Sequence, residues 1–353
     1  MWFNHKKNSD SKTIAEKNCK SQLASIQSNG VTLSMVELLN YQNKTALIDL
    51  SSRKNIRGQM SGNYLSRSKG RGMEFDEVRH YQTGDDIRAI DWRVTARTGK
   101  THTKLFREEL ERPVLIATDL STSMHFGTQL LFKSIQAAHI ASLIAWHAKN
   151  RGDRLGGIVF NQQEHIELKP RSRKEGVLHY LHALNSIHDS QHNNQYCSEI
   201  QECDEQSNSN KSNYFTNNCA RIRQVAKPGS LVYLITDAQQ LKNVKDINQH
   251  DALRHLTQIS QHCELVVCLV KDPLEQTLPN SNIKLNVALT DGVNRKQLTL
   301  GDLDTATTYQ EYAKKINSLC EKSLTNSGAR VIEISAGETL EEQLKKGSKL
   351  CQI

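Results

Sequence analysis

From residue 113 onward, short continuous apolar runs alternate with longer stretches of helical spacing, the pattern of buried parallel strands joined by helices. Strands are predicted over Val114–Thr118, Leu155–Phe160, Glu164–Leu168, Leu231–Thr236, Glu264–Val270 and Ala329–Ile334. Helices are predicted over Thr128–Lys149, Lys174–Ile187, Asn218–Ala226, Ala252–Gln261, Thr305–Thr325 and Thr339–Lys346. Lys227-Pro228-Gly229 is a sound terminator for the third of these. Glu164–Leu168 follows its neighbour across a short polar turn and reads as an antiparallel partner, and 277–301 reads as a hairpin-containing insertion. Residues 188–213, rich in Ser, Asn and Gln, read as a polar insertion of low structure content. The expected architecture of 113–353 is an α/β domain with a doubly wound, mostly parallel, Rossmann-like sheet.

The first third of the chain follows other rules. Residues 1–30 are polar and rich in Lys, Asn and Ser, so a frayed or disordered start is expected. Residues 31–48 show helical spacing in Leu33, Val36, Leu39 and Leu47. Residues 53–112 carry 14 Lys/Arg and 9 Asp/Glu, with apolar residues only single, as at Phe75, Val78, Ile87, Ile90 and Trp92. Such a segment has no core of its own. The expectation is a polar network docked on the α/β domain, formed by Arg79, Asp85, Asp86, Arg88, Asp91, Trp92 and Arg97, because Arg–carboxylate pairs are directional. A solvated charged loop is the plainer alternative. The division is therefore 1–30, 31–112 and 113–353.

Composition narrows the function. The 353 residues have a mean hydropathy of −0.60 and no apolar run approaching the roughly 18 residues that cross a bilayer. Met1 to Lys20 has no apolar signal-peptide core, so a cytoplasmic location is expected. None of the eight cysteines forms a C-x-x-C pair, which argues against a structural zinc. The net charge of +8 favours an acidic partner without choosing its kind, and an aromatic content of 5% gives base stacking little support.

Pro113-Val-Leu-Ile-Ala-Thr-Asp-Leu-Ser-Thr-Ser-Met-His125 carries the chemistry. The apolar run ends at Asp119, Ser121 and Ser123, so a buried strand delivers one carboxylate and two hydroxyls at its C-terminal tip, where open α/β sheets bind ligands. Hard oxygen donors of this kind suit Mg²⁺. The same residue types are also the preferred helix N-caps. A second strand, Leu231–Thr236, ends at Asp237.

This pairing resembles the von Willebrand factor A domain and its metal-ion-dependent adhesion site. Gly70-Arg-Gly-Met-Glu-Phe-Asp-Glu-Val-Arg79, Tyr81, Gly84-Asp-Asp-Ile-Arg-Ala-Ile-Asp-Trp92 and Thr95-Ala-Arg97 resemble the signature of the bacterial family called domain of unknown function 58. The likeness runs from about residue 30 to 240 and is dense across 68–127. It implies Mg²⁺ or another divalent cation held by Asp119, Ser121 and Ser123, with Asp237 acting through water. It also implies a Ser or Thr from a middle loop, for which Thr216 and Ser212 are the candidates. Function by resemblance is non-catalytic protein binding, as an adaptor to a MoxR-type AAA+ ATPase in complex assembly or maturation, with membrane-anchored von Willebrand factor A proteins as further partners.

Enzyme readings meet specific gaps. A haloacid dehalogenase-type phosphotransferase needs a second Asp where Ser121 stands. Thr98-Gly99-Lys100-Thr101 imitates the end of a Walker A loop, but Val94 occupies the earlier glycine position. No G-x-S-x-G elbow surrounds Ser121 or Ser123. His125 lies near the strand end, yet Mg²⁺ disfavours imidazole. The competing function is nucleic-acid or phosphate binding by the basic 53–112 block, and a metal-dependent hydrolase ranks below it.

Overall fold

A computed structural model describes residues 19–47, 73–108, 113–198, 213–242, 250–279, 284–290 and 295–346. Its contacts fall into two units, Arg57–Glu111 and the remainder.

The larger unit begins with a helix, α1, over 19–26, where order starts earlier than the polar composition predicts. Ile26 is buried there, which gives the segment something to fold against. Next comes α2 (Met35–Asn40), opened by a capping box in which Ser34 and Glu37 satisfy each other's backbone amides.

The smaller unit comprises β1 (Met73–His80), α3 (Trp92–Thr98) and β2 (His102–Glu108). Its two strands pair antiparallel with one register shift. Among residues 77–105 no apolar side chain is buried, whereas His102 and Thr103 are. Backbone bonds hold it: the amide of Asp91 donates to the His102 carbonyl and that of Tyr81 to the Thr101 carbonyl.

The larger unit resumes at β3 (Pro113–Asp119), followed by α4 (Lys133–Asn150), β4 (Arg154–Phe160), β5 (His165–Arg171) and α5 (Arg173–Ser198). Then come α6 (Tyr214–Val225), β6 (Leu231–Thr236), the short α7 (Gln239–Lys242), α8 (Asp251–Ser260) and β7 (Glu264–Lys271). The hairpin β8 (Leu285–Thr290) and β9 (Arg295–Leu300) precedes α9 (Leu303–Asn326), β10 (Arg330–Ser335) and α10 (Leu340–Lys345). The central sheet has the order β10-β7-β6-β3-β4-β5, parallel throughout except for β5. The chain is thus a mixed α/β protein with a six-stranded, mostly parallel sheet between helical layers.

Alternation sorts the strands' side chains between two cores. Val114, Ile116, Tyr233 and Ile235 face α4 and α5, while Leu115, Ala117, Val232 and Leu234 face α6 and α8. Gly157 on β4 has a structural reason: a Cβ there would lie 2.5 Å from the Tyr180 ring, whose hydroxyl reaches Thr118 at 2.6 Å. The segment around α2 docks on α4, where Ser142 Oγ and Trp146 Nε1 both donate to the Leu38 carbonyl. Buried Glu37 meets His139 at 3.4 Å.

The expected insertion at 188–213 is helical as far as Ser198, and residues 199–212 lie outside those described. The helix continues because Val177, Tyr180, Leu181, Leu184 and Ile187 anchor it to the core before the polar stretch begins. Among the described residues, no helix is long and apolar enough to cross a membrane.

Candidate functional site

Adjacent parallel strands β3, β6 and β7 each bring an aspartate to the C-terminal edge of the sheet: Asp119 ends β3, Asp237 follows β6 and Asp272 follows β7. All are at most 2% exposed. Carboxylates buried this deeply need compensation, and the three find it differently.

Asp272 is satisfied by neutral donors. It accepts the Thr128 amide at 2.8 Å, the Thr128 hydroxyl at 2.5 Å and the Leu274 amide at 2.9 Å, which ties the loop after β3 to β7. In that loop a Cβ on Gly127 would strike the Leu131 carbonyl at 2.2 Å, so the turn closes only around glycine. The loop also delays α4 until Lys133, five residues after the start that periodicity predicts.

Asp237 has a cation. Lys133 Nζ, with its side chain 2% exposed, lies 2.8 Å from Asp237 and 2.6 Å from Glu275. Burial pushes the Asp237 carboxyl up, but the Lys133 ammonium outweighs it and holds the group below the usual carboxylate range. Lys133 itself is pushed down by burial and raised by more, through Asp237 and Glu275.

Asp119 has only dipoles. Oδ1 accepts the Ser121 amide at 3.0 Å and Oδ2 accepts the Thr236 hydroxyl at 2.8 Å. No ion pair among the described residues reaches it. Burial, with the Asp237 charge adding to it, pushes its carboxyl up to about 7.

The hydroxyls converge beside it. Ser121 Oγ, buried, and Ser123 Oγ, half-buried, are 3.2 Å apart. Ser121 precedes the 3₁₀ turn Thr122–Met124 without a side-chain cap bond, and α4 is entered from Phe132, also uncapped by a side chain. The capping alternative therefore does not describe either hydroxyl. Asp119 alone has a local turn role, through the Ser121 amide.

Thr216 goes elsewhere. It lines a cavity of about 320 Å³ with Arg223, Asp251, Arg254, His255 and Gln258, on the face of α6 toward α8. Tyr214, two residues earlier, reaches the strand-end loop by hydrogen bonds with Ser121 and Gln240. Ser212 lies outside the described residues. His125 Nδ1 is 3.2 Å from the Ser121 carbonyl, and its ring stacks on His188 with centroids 5.2 Å apart.

Sequence reasoning missed Lys133, Thr236, Glu275, Asp272 and Tyr214. Thr236 and Asp272 had a signal, since both sit at the ends of apolar runs already read as strands. Lys133 had a weaker one: it is a lone charge on the first turn of an otherwise greasy helix. Tyr214 and Glu275 had none, because only tertiary structure brings them to the loop.

In the smaller unit, the expected Arg–Asp network is mostly absent among the described residues. Only Arg79 and Asp85 pair directly, at 2.7 Å. Asp85 also accepts the Gln82 amide at 2.9 Å, and that bond leads in holding its carboxyl below the usual range. Asp86 accepts the Arg88 amide, while Asp91 accepts the amides of Arg93 and Val94 and lies 3.7 Å from Lys104. The carboxylates are thus spent on backbone N–H groups, which leaves Arg88, Arg97 and Trp92 at the surface.

Residues 77–319 match the family described as Protein of unknown function DUF58, and the chain belongs to that family. Uncharacterized proteins of Mycobacterium bovis and Mycobacterium tuberculosis are 34% identical to it over 114 residues, 32% of this chain and 36% of each relative. The match therefore spans about a third of those relatives' length. No solved structure matches the chain.

Proposed function

We propose that the strand-end loop is a metal-ion-dependent adhesion site in a von Willebrand factor A-like domain, and that the protein is a non-catalytic adaptor. The supporting observation is Asp119: it is buried with no cation beside it among the described residues, and the Thr236 and Ser121 hydroxyls and the Ser121 amide gather hard oxygen groups around it at the strand end. A divalent cation is the partner such a cluster lacks.

The donor chemistry fits Mg²⁺, since Asp119, Ser121 and Ser123 offer hard oxygens only. Asp237 fits less simply, because Lys133 already holds one of its oxygens. In this reading Asp119, Ser121 and Ser123 hold the ion directly and Asp237 acts through water. A divalent cation held by these residues would supply positive charge at the loop, to which a partner's carboxylate would bind. Thr236 keeps Asp119 oriented toward the loop. Tyr214 closes the α6 side of the loop. The topology supports such a site, because the strand order runs outward from β3 in both directions, to β4 and β5 on one side and to β6, β7 and β10 on the other, and open sheets bind ligands at such a reversal.

A MoxR-type AAA+ ATPase is the proposed partner, on family resemblance. The test is co-purification of that ATPase with the full chain, with Mg²⁺ and with EDTA, for wild type and Asp119→Asn. Binding that disappears on chelation and in the variant, with an unchanged circular dichroism spectrum, is the expected result. Binding indifferent to both would overturn the adhesion-site reading.

A further inference from the structure

We propose that residues 87–97 of the smaller unit form a second, metal-independent docking face, and that its occupant is an acidic protein segment carrying apolar side chains. Ile87 is 66% exposed and Trp92 67% exposed. Arg88, Arg93 and Arg97 are exposed around them, and no ion pair among the described residues engages any of the three. The neighbouring Asp86 and Asp91 cannot neutralise them, because both are turned onto backbone amides. The acidic groups thus build the local turn, and Arg88, Arg93, Arg97, Ile87 and Trp92 are left over.

Trp and Arg are the residues that dominate protein interfaces when desolvated, and charge complementarity selects the acidic partner. The contrast with Trp146 is direct: that ring is fully buried and its Nε1 is bonded to Leu38. Trp92 has no such use within its unit.

A single-stranded nucleic acid is a poorer occupant. It needs a row of stacking surfaces, and Trp92 is the one exposed ring in 87–97. An aliphatic side chain as exposed as Ile87 offers nothing to a phosphate backbone, whereas an apolar side chain of a protein covers it.

The face is tested with the full chain in EDTA, so that the strand-end site is silent. The probe is a fluorescein-labelled synthetic peptide of Glu with interspersed Leu, read by fluorescence anisotropy. Its Gln-for-Glu counterpart, oligouridylate of equal length and vesicles containing phosphatidylserine serve as competitors. The expected result is binding of the Glu peptide, weakened about tenfold by Trp92→Ala and by Arg88→Glu/Arg93→Glu, and restored by Trp92→Phe. Lys284→Glu, which reverses an exposed charge on the larger unit, is expected to change little. Circular dichroism and melting establish that each variant is folded. No binding, equal binding of the Gln peptide, tighter capture by oligouridylate or vesicles, or indifference to Trp92→Ala would each overturn the proposal.

Discussion

Two turns of this protein use aspartate in opposite ways. At the end of β3 the carboxylate is buried, and its difficulty is a shortage of positive charge: Asp119 is pushed up to about 7 by burial and by Asp237. In the Gly84–Trp92 turn the carboxylates sit in or near water, and backbone amides capture them. Burial enters only as an opposing influence on Asp85 and Asp91, and both are held low, chiefly by the amides of Gln82 and Val94. The difference teaches that an Asp beside Arg or Ser in sequence says little about its partner. What decides is whether solvent is available when the backbone has taken its share. A dry carboxylate draws partners from across the fold, as Asp237 draws Lys133 and Asp272 draws the Thr128 amide and hydroxyl. A wet one satisfies its own turn and leaves the neighbouring arginines for something else.

The sharpest way to break this comparison is to remove the recruited cation. Lys133→Met leaves Asp237 buried and unpaired, which typically costs about 3–5 kcal/mol. A large fall in melting temperature is expected, with partial recovery in Lys133→Met/Asp237→Asn, where both charges are gone. An unchanged melting temperature in the single variant would mean that Lys133 is not the counter-ion of the buried strand end.

The pH dependence of Asp119 sharpens the same side. Burial pushes its carboxyl up to about 7 in the folded chain, above the ordinary Asp value of about 3.9, so the unfolded state releases the proton first. The stability this group contributes is complete below about pH 4 and drains away as pH rises toward 7. In EDTA, chemical denaturation should therefore show wild type losing a few kcal/mol across that window relative to Asp119→Asn. Added Mg²⁺ should stabilise wild type more at pH 8 than at pH 5, and Asp119→Asn at neither. Parallel pH profiles for the two proteins would refute the assigned burial effect.

Much of this was legible in the chain. The strands β3, β6 and β7 are buried on both faces, so each reads as an unbroken apolar run whose end is visible. Family membership was legible too, because Gly84-Asp-Asp-Ile-Arg-Ala-Ile-Asp-Trp92 is a local motif. What stayed hidden was pairing across distance. Lys133 lies 104 residues from Asp237 and 142 from Glu275, and no periodicity marks such a contact. Thr216 and Ser212 were candidates on residue type alone, and helix phase, which puts Tyr214 rather than Thr216 beside Ser121, was not readable there. The polar network of the smaller unit was misjudged for a simpler reason: a side chain within one turn of free amides reaches them before it reaches an arginine.

The smallest expected effects lie in that unit, and they discriminate between a network and a set of caps. A network predicts that Arg88→Ala and Asp91→Ala behave alike. The observed bonds predict that they do not. Asp91→Ala strips the acceptor from the amides of Arg93 and Val94 and opens the first turn of α3. Amide hydrogen exchange at those two residues should quicken several-fold while the exchange of β3, β6 and β7 stays unchanged. Arg88→Ala should leave both sets alone, because nothing among the described residues depends on its guanidinium. Arg79→Ala should fall between them, loosening only the Gln82–Asp85 turn, and its effect should fade as salt screens the exposed pair. Equal exchange rates in the Arg88 and Asp91 variants would restore the network and erase the contrast between the two aspartate turns.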